Sequence, residues 1–182
     1  MNAQDALKAL TDLFHGEDVL AAAAEHVPRS STPEPYRSLL VHNHHMTVTM
    51  EQHHGCSVDV RVLEERLEGD LYCRKITLVK QGTDTVVQFG IVRFHLEYVT
   101  KAVRDEILQG DIPLGRILID YNVLREVELA AILKLTAGPE LARILQMAEG
   151  EATYGRLATI FCNHQPAVDL LEVSAPLPLA GS

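Results

Sequence analysis

The sequence predicts an α+β protein with a single antiparallel sheet. After Gly55 the apolar residues recur with a period of two, in segments separated by short turns such as EGD at 68–70 and QGTD at 81–84. Helical segments lie between these runs of strands, and hairpin turns connect strands where a parallel sheet would need long crossovers. The 182 residues are 47% apolar, which is enough for one hydrophobic core.

Residues 1–35 are predicted to form an N-terminal helical arm that precedes a main domain at 36–182. Within 3–26 the apolar residues Ala6, Leu7 and Leu10 have helical spacing, and an alanine run follows at 21–24. The segment PRSSTPEP at 28–35 breaks this pattern and predicts a loop.

The segment at 36–54 carries signals for both helix and strand. MTVTM alternates and contains β-branched residues, whereas Asn43 is a candidate N-cap and Gly55 a candidate C-terminal stop. We favour a helix.

The remaining elements follow from the same periodicities. Six strands are predicted, at 57–67, 71–80, 85–99, about 123–136, 151–163 and 166–176. Residues 100–121 predict a helix that stops at Gly110 and a second one that starts at Pro113, and GPEL at 138–141 predicts a short helix between two strands.

Composition limits the possible partners. The formal net charge of −9 argues against a nucleic acid or an acidic membrane as partner, and an anionic ligand requires a local basic pocket. Cys56, Cys73 and Cys162 are widely spaced and odd in number, which favours neither a disulfide framework nor a zinc knuckle. No apolar run has the length of a membrane span, and the N-terminus does not resemble a signal peptide. We expect a soluble, cytoplasmic protein with a small-molecule ligand; the oligomeric state is not predicted.

Five histidines are clustered in HNHHM at 42–46 and in HH at 53–54. His42 and His44 have the His-x-His spacing of a metal site on a strand, but an HExxH motif is absent from the sequence. The alternative is that these side chains lie in solvent at the ends of an exposed helix, and we favour it. We therefore expect no metal and no organic cofactor.

Two charged residues fall in line with apolar side chains on predicted strands. Arg74 in LYCRKITLV shares a strand face with Tyr72 and Ile76, and Glu172 lies among leucines in AVDLLEVSAP. Burial would raise the pKa of such a carboxyl unless a cation compensates. Either the two residues form a buried structural ion pair, which parity alone favours, or both contact the same ligand.

A third feature is IPLGR at 112–116. Pro113 marks a helix start, so the amides of Leu114 and its neighbours are free to face an anion. The alternative is a plain helix start packed into the core.

Five short motifs in order resemble the chorismate lyase (chorismate pyruvate-lyase) family and its lyase-like relatives over residues 38 to 176. They are HHMT, YCRKITL, the FG of VVQFGIV, PLGRIL and LLEVSAP. The resemblance implies a six-stranded antiparallel sheet with helical flaps that enclose the ligand.

The resemblance also implies a site. In the family, the residues matching Arg74 and Glu172 bind a substrate carboxylate and contact the ring hydroxyl. Backbone groups matching Met46 and Leu114 complete the carboxylate contacts, and Gly90 matches a glycine beside the aromatic product.

The sequence departs from the family pattern in two places. Ile91 stands where an arginine is expected after the glycine, and Arg93 is the candidate to replace it. Lys75 stands where the family has an acid.

The implied function is the elimination of pyruvate from chorismate to give 4-hydroxybenzoate, with Arg74 and Glu172 as catalytic residues and without metal. A neutral Glu172 could supply a proton near the departing oxygen, or the residue could only position the substrate. The alternative is a non-catalytic domain that binds an aromatic or carboxylate ligand, as in effector domains of bacterial transcription regulators that resemble the same fold. The segment before residue 36 lacks a basic recognition helix, which argues against a complete regulator.

Overall fold

The structure is a computed structural model that describes residues 2–14 and 19–179. The described part contains seven strands: β1 (Ala21–Val27), β2 (Val58–Glu68), β3 (Leu71–Lys80), β4 (Val86–His95), β5 (Arg125–Ala137), β6 (Ala152–Cys162) and β7 (Gln165–Ser174). Its α-helices are α1 (Ala3–Thr11), α2 (Tyr36–Leu40), α3 (Met46–His54), α4 (Lys101–Gln109), α5 (Leu114–Asp120) and α6 (Pro139–Leu145).

The predicted α+β class with one antiparallel sheet is confirmed. The strand order is β1-β5-β6-β7-β4-β3-β2, and every neighbouring pair is antiparallel. Two runs of hairpin-linked strands, β2-β3-β4 and β5-β6-β7, join where β4 pairs with β7. Gly90 lies opposite Glu172 at this junction, so residues distant in sequence meet at the centre of the sheet.

Both faces of the sheet are covered. One face, which we call the pocket face, carries Tyr72, Val92, Phe94 and Leu170, and it packs against α4 and α5 at one end and against α2 and α3 at the other. The opposite face carries Phe89, Ile91, Leu171 and Val173, which pack against α1 and α6. The alternation of side chains along each strand therefore supplies two apolar layers, and the pocket face lies beneath four helices.

The prediction that the helical segment continues through the alanine run at 21–24 is wrong. Helix α1 ends at Thr11, and the alanines form part of β1, the edge strand that pairs with β5. The open edge of β5 supplies a full ladder of hydrogen-bonding groups, and Ala21 and Ala24 pack into the core of the opposite face. Tertiary pairing therefore overrides the helix propensity of alanine, and the sheet has seven strands where the sequence predicted six.

Most other element boundaries agree with the sequence, but the strand predicted at 85–99 ends at His95 and is followed by a 3-10 helix at Leu96–Tyr98. Strand β3 coincides with the predicted 71–80, and Gly55 and Gly110 end α3 and α4 with φ of 65° and 78°, a conformation that favours glycine. The helix predicted within 36–54 is split in two, and His45, not Asn43, is the N-cap of α3. In the described part of the chain, none of the helices has the length and apolarity required to cross a membrane.

Candidate functional site

A small enclosed cavity lies between the middle of the pocket face and the first residues of α3 and α5. Its volume is about 40 Å³. Most of its wall is apolar and comes from the sheet, through Val60, Ile76, Leu78, Val92, Ile160 and Leu170. A few polar groups in an apolar enclosure are typical of small-molecule sites.

All five residues that the resemblance singled out line this cavity. Arg74, Gly90 and Glu172 come from β3, β4 and β7, and Met46 and Leu114 are the first residues of α3 and α5. They converge because β4 pairs with both β3 and β7, while the two helices begin above these strands. Their roles in binding or catalysis stay predictions.

Arg74 is a buried cation whose guanidinium is not hydrogen-bonded at two of its nitrogens. The residue is 2% exposed, and its Nε and Nη1 atoms are buried and without a partner in the described structure. Burial is the main influence on its pKa and lowers it from the ordinary value, against smaller opposing effects of Tyr72 and Glu65. A buried guanidinium with free donors is unfavourable unless an anion compensates it.

The prediction of a structural ion pair between Arg74 and Glu172 is wrong. Glu172 instead pairs with Arg156, which lies directly opposite on β6, with 2.7 Å between Nε and Oε2. The Arg156 side chain is 1% exposed and that of Glu172 is 12% exposed, so the pair is largely buried. Arg156 is the cation that compensates Glu172, and Arg74 keeps its free donors.

Arg156 also holds the loop that carries the histidines. Its Nη1 donates to the backbone oxygen of His42 at 3.1 Å, and its Nη2 donates to that of His44 at 3.0 Å. The His42 ring lies 3.3 Å from Nη1 and 2.7 Å from the Leu39 oxygen. The interpretation of these histidines as solvent-exposed residues at helix ends is therefore wrong for His42, whose burial lowers its pKa to about 4.

His45 is the second histidine with a defined structural position. Its Nε2 accepts a hydrogen bond from Nε of Arg125 at 2.8 Å, and its ring lines the cavity. Burial, followed by the nearby Arg125 and Arg156, lowers the pKa of His45 to about 4. The ring is therefore neutral at pH 7 and does not add a positive charge to the cavity.

His45 also separates the cavity from a wider groove on the outer side of α3. This open groove, of about 880 Å³, lies between α3 and the residues that lead into β5. It contains none of the residues that the resemblance singled out, and we therefore place the candidate site in the smaller, enclosed cavity.

Helices α3 and α5 both begin at the cavity, and neither start is capped by a side chain. The backbone amides of Met46 and Leu114 are in the first helical position, where an intrahelical acceptor is absent. The two starts are in close contact, because a Cβ built on Gly115 would lie 3.0 Å from Cβ of His45. Glycine at this position lets the two helices close over the cavity.

The two departures from the family pattern lie away from the cavity. Arg93 alternates to the opposite face of β4 and pairs with Asp169 at 2.7 Å, so the expectation that it replaces the missing arginine is wrong. Lys75 also points to the opposite face, where Glu140 and Glu64 accept hydrogen bonds at 2.7 and 2.8 Å. Burial would lower the pKa of Lys75, but these two carboxylates outweigh it and raise the pKa.

The described residues contain no group of three or more histidines, cysteines or acids arranged to hold a metal ion. His53 and His54 pack edge to face against each other at the end of α3.

Sequence reasoning missed two residues of this region, Arg156 and Gln88. The same pattern that identified Arg74 was present for both. Each is a polar residue with an even number, in a strand whose other even-numbered residues are apolar or small. Gln88 precedes Gly90 and Val92 in this way on β4 and is 3% exposed.

No protein-family model matches the chain, and no curated protein sequence matches it. The resemblance to the chorismate lyase family therefore stays a prediction.

Solved structures with a similar course of the chain include domains of bacterial transcription regulators. The ligand-binding domain assigned to a GntR-family regulator from Bordetella bronchiseptica is 13% identical, with a TM-score of 0.47 over 64% of this chain and 85% of that one. A gene product from Staphylococcus aureus gives 19% identity, a TM-score of 0.46, and coverage of 64% and 82%. A GntR-family regulator from Enterococcus faecalis is 12% identical, with a TM-score of 0.44 over 64% of this chain and 92% of that one. At TM-scores below 0.5 these likenesses do not decide a function.

Proposed function

We propose that the cavity binds a small-molecule carboxylate and that Arg74 receives the carboxylate group. The observation that carries this proposal is the pair of buried, unpartnered donors on Nε and Nη1 of Arg74. Each of these N–H donors can bind a carboxylate oxygen, and a hydrogen bond to an anion is the strongest that a buried guanidinium can make. The protein acids nearest in the fold are already engaged, because Glu172 is paired with Arg156 and Glu65 accepts a hydrogen bond from Tyr72.

The helix starts above the cavity support an anion at this place. Met46 and Leu114, whose amides are the first of α3 and α5, line the same cavity as Arg74. Helix starts carry a partial positive charge that adds to the attraction of the guanidinium.

Ligand binding requires the cavity to open. The volume of about 40 Å³ is far below the roughly 300 Å³ or more of a typical small-molecule pocket. The contact of His45 and Gly115 closes the cavity, so the starts of α3 and α5 must move apart when a ring-sized ligand enters.

Titration calorimetry with benzoate and with its neutral methyl ester tests this proposal. We expect benzoate to bind and the ester to bind at least about tenfold more weakly, because the ester lacks the charge that Arg74 requires. Arg74→Met should abolish benzoate binding. The control is Arg93→Met, which removes an arginine from the opposite face and should leave the affinity unchanged. Equal binding of acid and ester, or full affinity in Arg74→Met, contradicts the proposal.

A second candidate function is the chorismate pyruvate-lyase reaction. It is favoured by the convergence of Met46, Arg74, Gly90, Leu114 and Glu172 on one enclosed cavity. A cavity closed over its ligand would exclude water, and the fixed donors would orient the enolpyruvyl ether for elimination. The ion pair with Arg156 suits Glu172 to accept a hydrogen bond from the ring hydroxyl, so this residue would position the substrate.

The lyase candidate is second because chorismate carries two carboxylates. Among the described residues that line the cavity, Arg74 is the single lysine or arginine, and two of its nitrogens have no hydrogen-bond partner. The second carboxylate would depend on backbone amides alone.

Incubation of the protein with chorismate, followed by chromatography of 4-hydroxybenzoate and pyruvate, separates the two candidates. Equal amounts of both products above a control without protein establish the lyase, and Glu172→Gln should then slow turnover. Thermal stabilisation by chorismate without product supports binding alone.

A further inference from the structure

Gln88 is a second buried polar side chain whose hydrogen-bonding capacity the protein does not use. It is 3% exposed, it lines the cavity, and its Oε1 atom is buried and without a partner in the described structure. The surrounding lining is apolar, with Leu78 on the neighbouring strand directly opposite. A buried amide without a partner is unfavourable and rare, so it requires an explanation.

The strand register places Arg74 and Gln88 at opposite ends of the cavity floor. Arg74 on β3 is paired with Val92 on β4. Gln88 lies four residues from Val92 along β4, and Gly90 lies midway between Val92 and Gln88. Neighbouring side chains on one face of a strand are about 6 to 7 Å apart, so Val92 and Gln88 each lie that distance from Gly90 along β4. The free donors and the free amide therefore lie on either side of a glycine.

Gly90 provides the flat surface between the two polar ends. A Cβ at this position would lie 3.3 Å from Cδ1 of Ile76 and 3.4 Å from the backbone oxygen of Leu171. Without a side chain at this position, a planar group can lie across the strand between Arg74 and Gln88 once the cavity opens.

We propose that Gln88 binds a hydroxyl group at the end of the ligand opposite its carboxylate, so that the cavity selects a hydroxy monocarboxylic acid. This inference rests on the proposed carboxylate binding at Arg74. A glutamine amide offers an acceptor and donors whichever way it is turned, and a hydroxyl is satisfied in either orientation.

The charges of the cavity limit the ligand to one negative charge. Of the described residues in its lining, Arg74 is a cation without an acidic partner, and Glu172 is compensated by Arg156. At the Gln88 end, the described lining residues include no cation to receive a second carboxylate, and Glu172 lies diagonally across from Gln88 on the neighbouring strand. A second carboxylate at this end would be buried next to a like charge.

Calorimetry with three rigid probes tests the selection on the wild-type protein. Benzoate has the carboxylate alone, 4-hydroxybenzoate adds a hydroxyl at the opposite end, and terephthalate places a second carboxylate there. We expect 4-hydroxybenzoate to bind about tenfold more tightly than benzoate, the effect of one buried hydrogen bond. Terephthalate should bind more weakly than 4-hydroxybenzoate. Equal affinity for benzoate and 4-hydroxybenzoate, or a preference for terephthalate, overturns the inference.

Gln88→Met assigns the preference to this side chain, because methionine has a similar length and no amide. In this variant the ratio of the affinities for 4-hydroxybenzoate and benzoate should fall from about tenfold to within about twofold. Gln81→Met changes an exposed glutamine in the turn before β4 and should keep the full preference. A tenfold preference that persists in Gln88→Met assigns the hydroxyl to another residue and overturns the inference.

The failure of this inference differs from the failure of the proposed function. Binding of benzoate and 4-hydroxybenzoate with equal affinity, abolished by Arg74→Met, overturns the role of Gln88 and leaves the carboxylate site intact. The absence of binding for all three probes overturns both.

Discussion

Arg156 and Glu172 lie opposite each other on β6 and β7 and form a buried ion pair, with 2.7 Å between Nε and Oε2. The same guanidinium holds the backbone oxygens of His42 and His44. Because Glu172 is paired with Arg156, it does not accept hydrogen bonds from Arg74, and two nitrogens of Arg74 have no partner in the described structure. One buried arginine is therefore held by the protein, and we propose that the other receives a ligand.

Arg156→Met should destabilise the protein by roughly 3–5 kcal/mol, because it leaves a buried carboxylate unpaired and releases the loop at 41–45. Urea denaturation measures the free energy of unfolding. The double variant with Glu172→Leu should recover a large part of the loss, because both charges are then removed. A loss below about 1 kcal/mol in the single variant would show that the pair is not structural.

Arg74→Met should leave the ligand-free protein as stable as the wild type or more stable. The substitution removes a buried guanidinium with two unpartnered donors, and methionine fills much of the same space. Thermal and urea unfolding without ligand measure this effect. A loss of more than about 2 kcal/mol would mean that Arg74 serves the fold, contrary to the site proposed for it.

Gly90→Ala should weaken the binding of 4-hydroxybenzoate by about tenfold or more, because the new methyl group fills the cavity floor. The free energy of unfolding should change by no more than about 1 kcal/mol, since the nearest atom is a flexible methyl of Ile76 at 3.3 Å. Ile91→Val on the opposite face of β4 is the control and should keep full affinity. Unchanged affinity in Gly90→Ala would exclude this floor as the binding surface.

Gly115→Ala should push the starts of α3 and α5 apart. The new Cβ would lie 3.0 Å from Cβ of His45 and 3.1 Å from Oγ1 of Thr47, so we expect a destabilisation of about 1–3 kcal/mol. Hydrogen exchange of the backbone amides at 45–49 should become faster. In a His45→Gly background, which lacks both the Cβ and the ring that the new methyl group would meet, the same substitution should destabilise less; equal effects in both backgrounds would contradict the contact.

Stability should fall as the pH decreases from about 6.5 to about 4. The pKa values of His42, His45 and His54 are lowered to about 4, chiefly by burial. In this window the unfolded chain binds protons that the folded chain does not bind, so acid favours unfolding. His45→Gln should reduce the proton uptake on unfolding at pH 5 by about one proton, as measured from the pH dependence of the free energy of unfolding. An unchanged pH dependence would mean that His45 is protonated equally in both states.

Local patterns in the sequence determined most elements of this fold. The period of two after Gly55 predicted β2 through β7, and glycines at 55 and 110 predicted the ends of two helices, because these signals depend on neighbouring residues alone. Parity along one strand also placed Arg74 on an apolar face, which is how it could be identified as a site residue.

Only the tertiary structure decided which groups meet. The alanines at 21–24 became a strand because the edge of β5 was open to pairing. The partner of Glu172 depended on the strand order, which places β6 beside β7 and so brings Arg156 opposite this carboxylate. A sequence specifies the face of a strand through alternation, but the neighbour of each side chain is determined by long-range pairing. For that reason the free donors of Arg74 and the unpartnered amide of Gln88 become evident only in the folded chain.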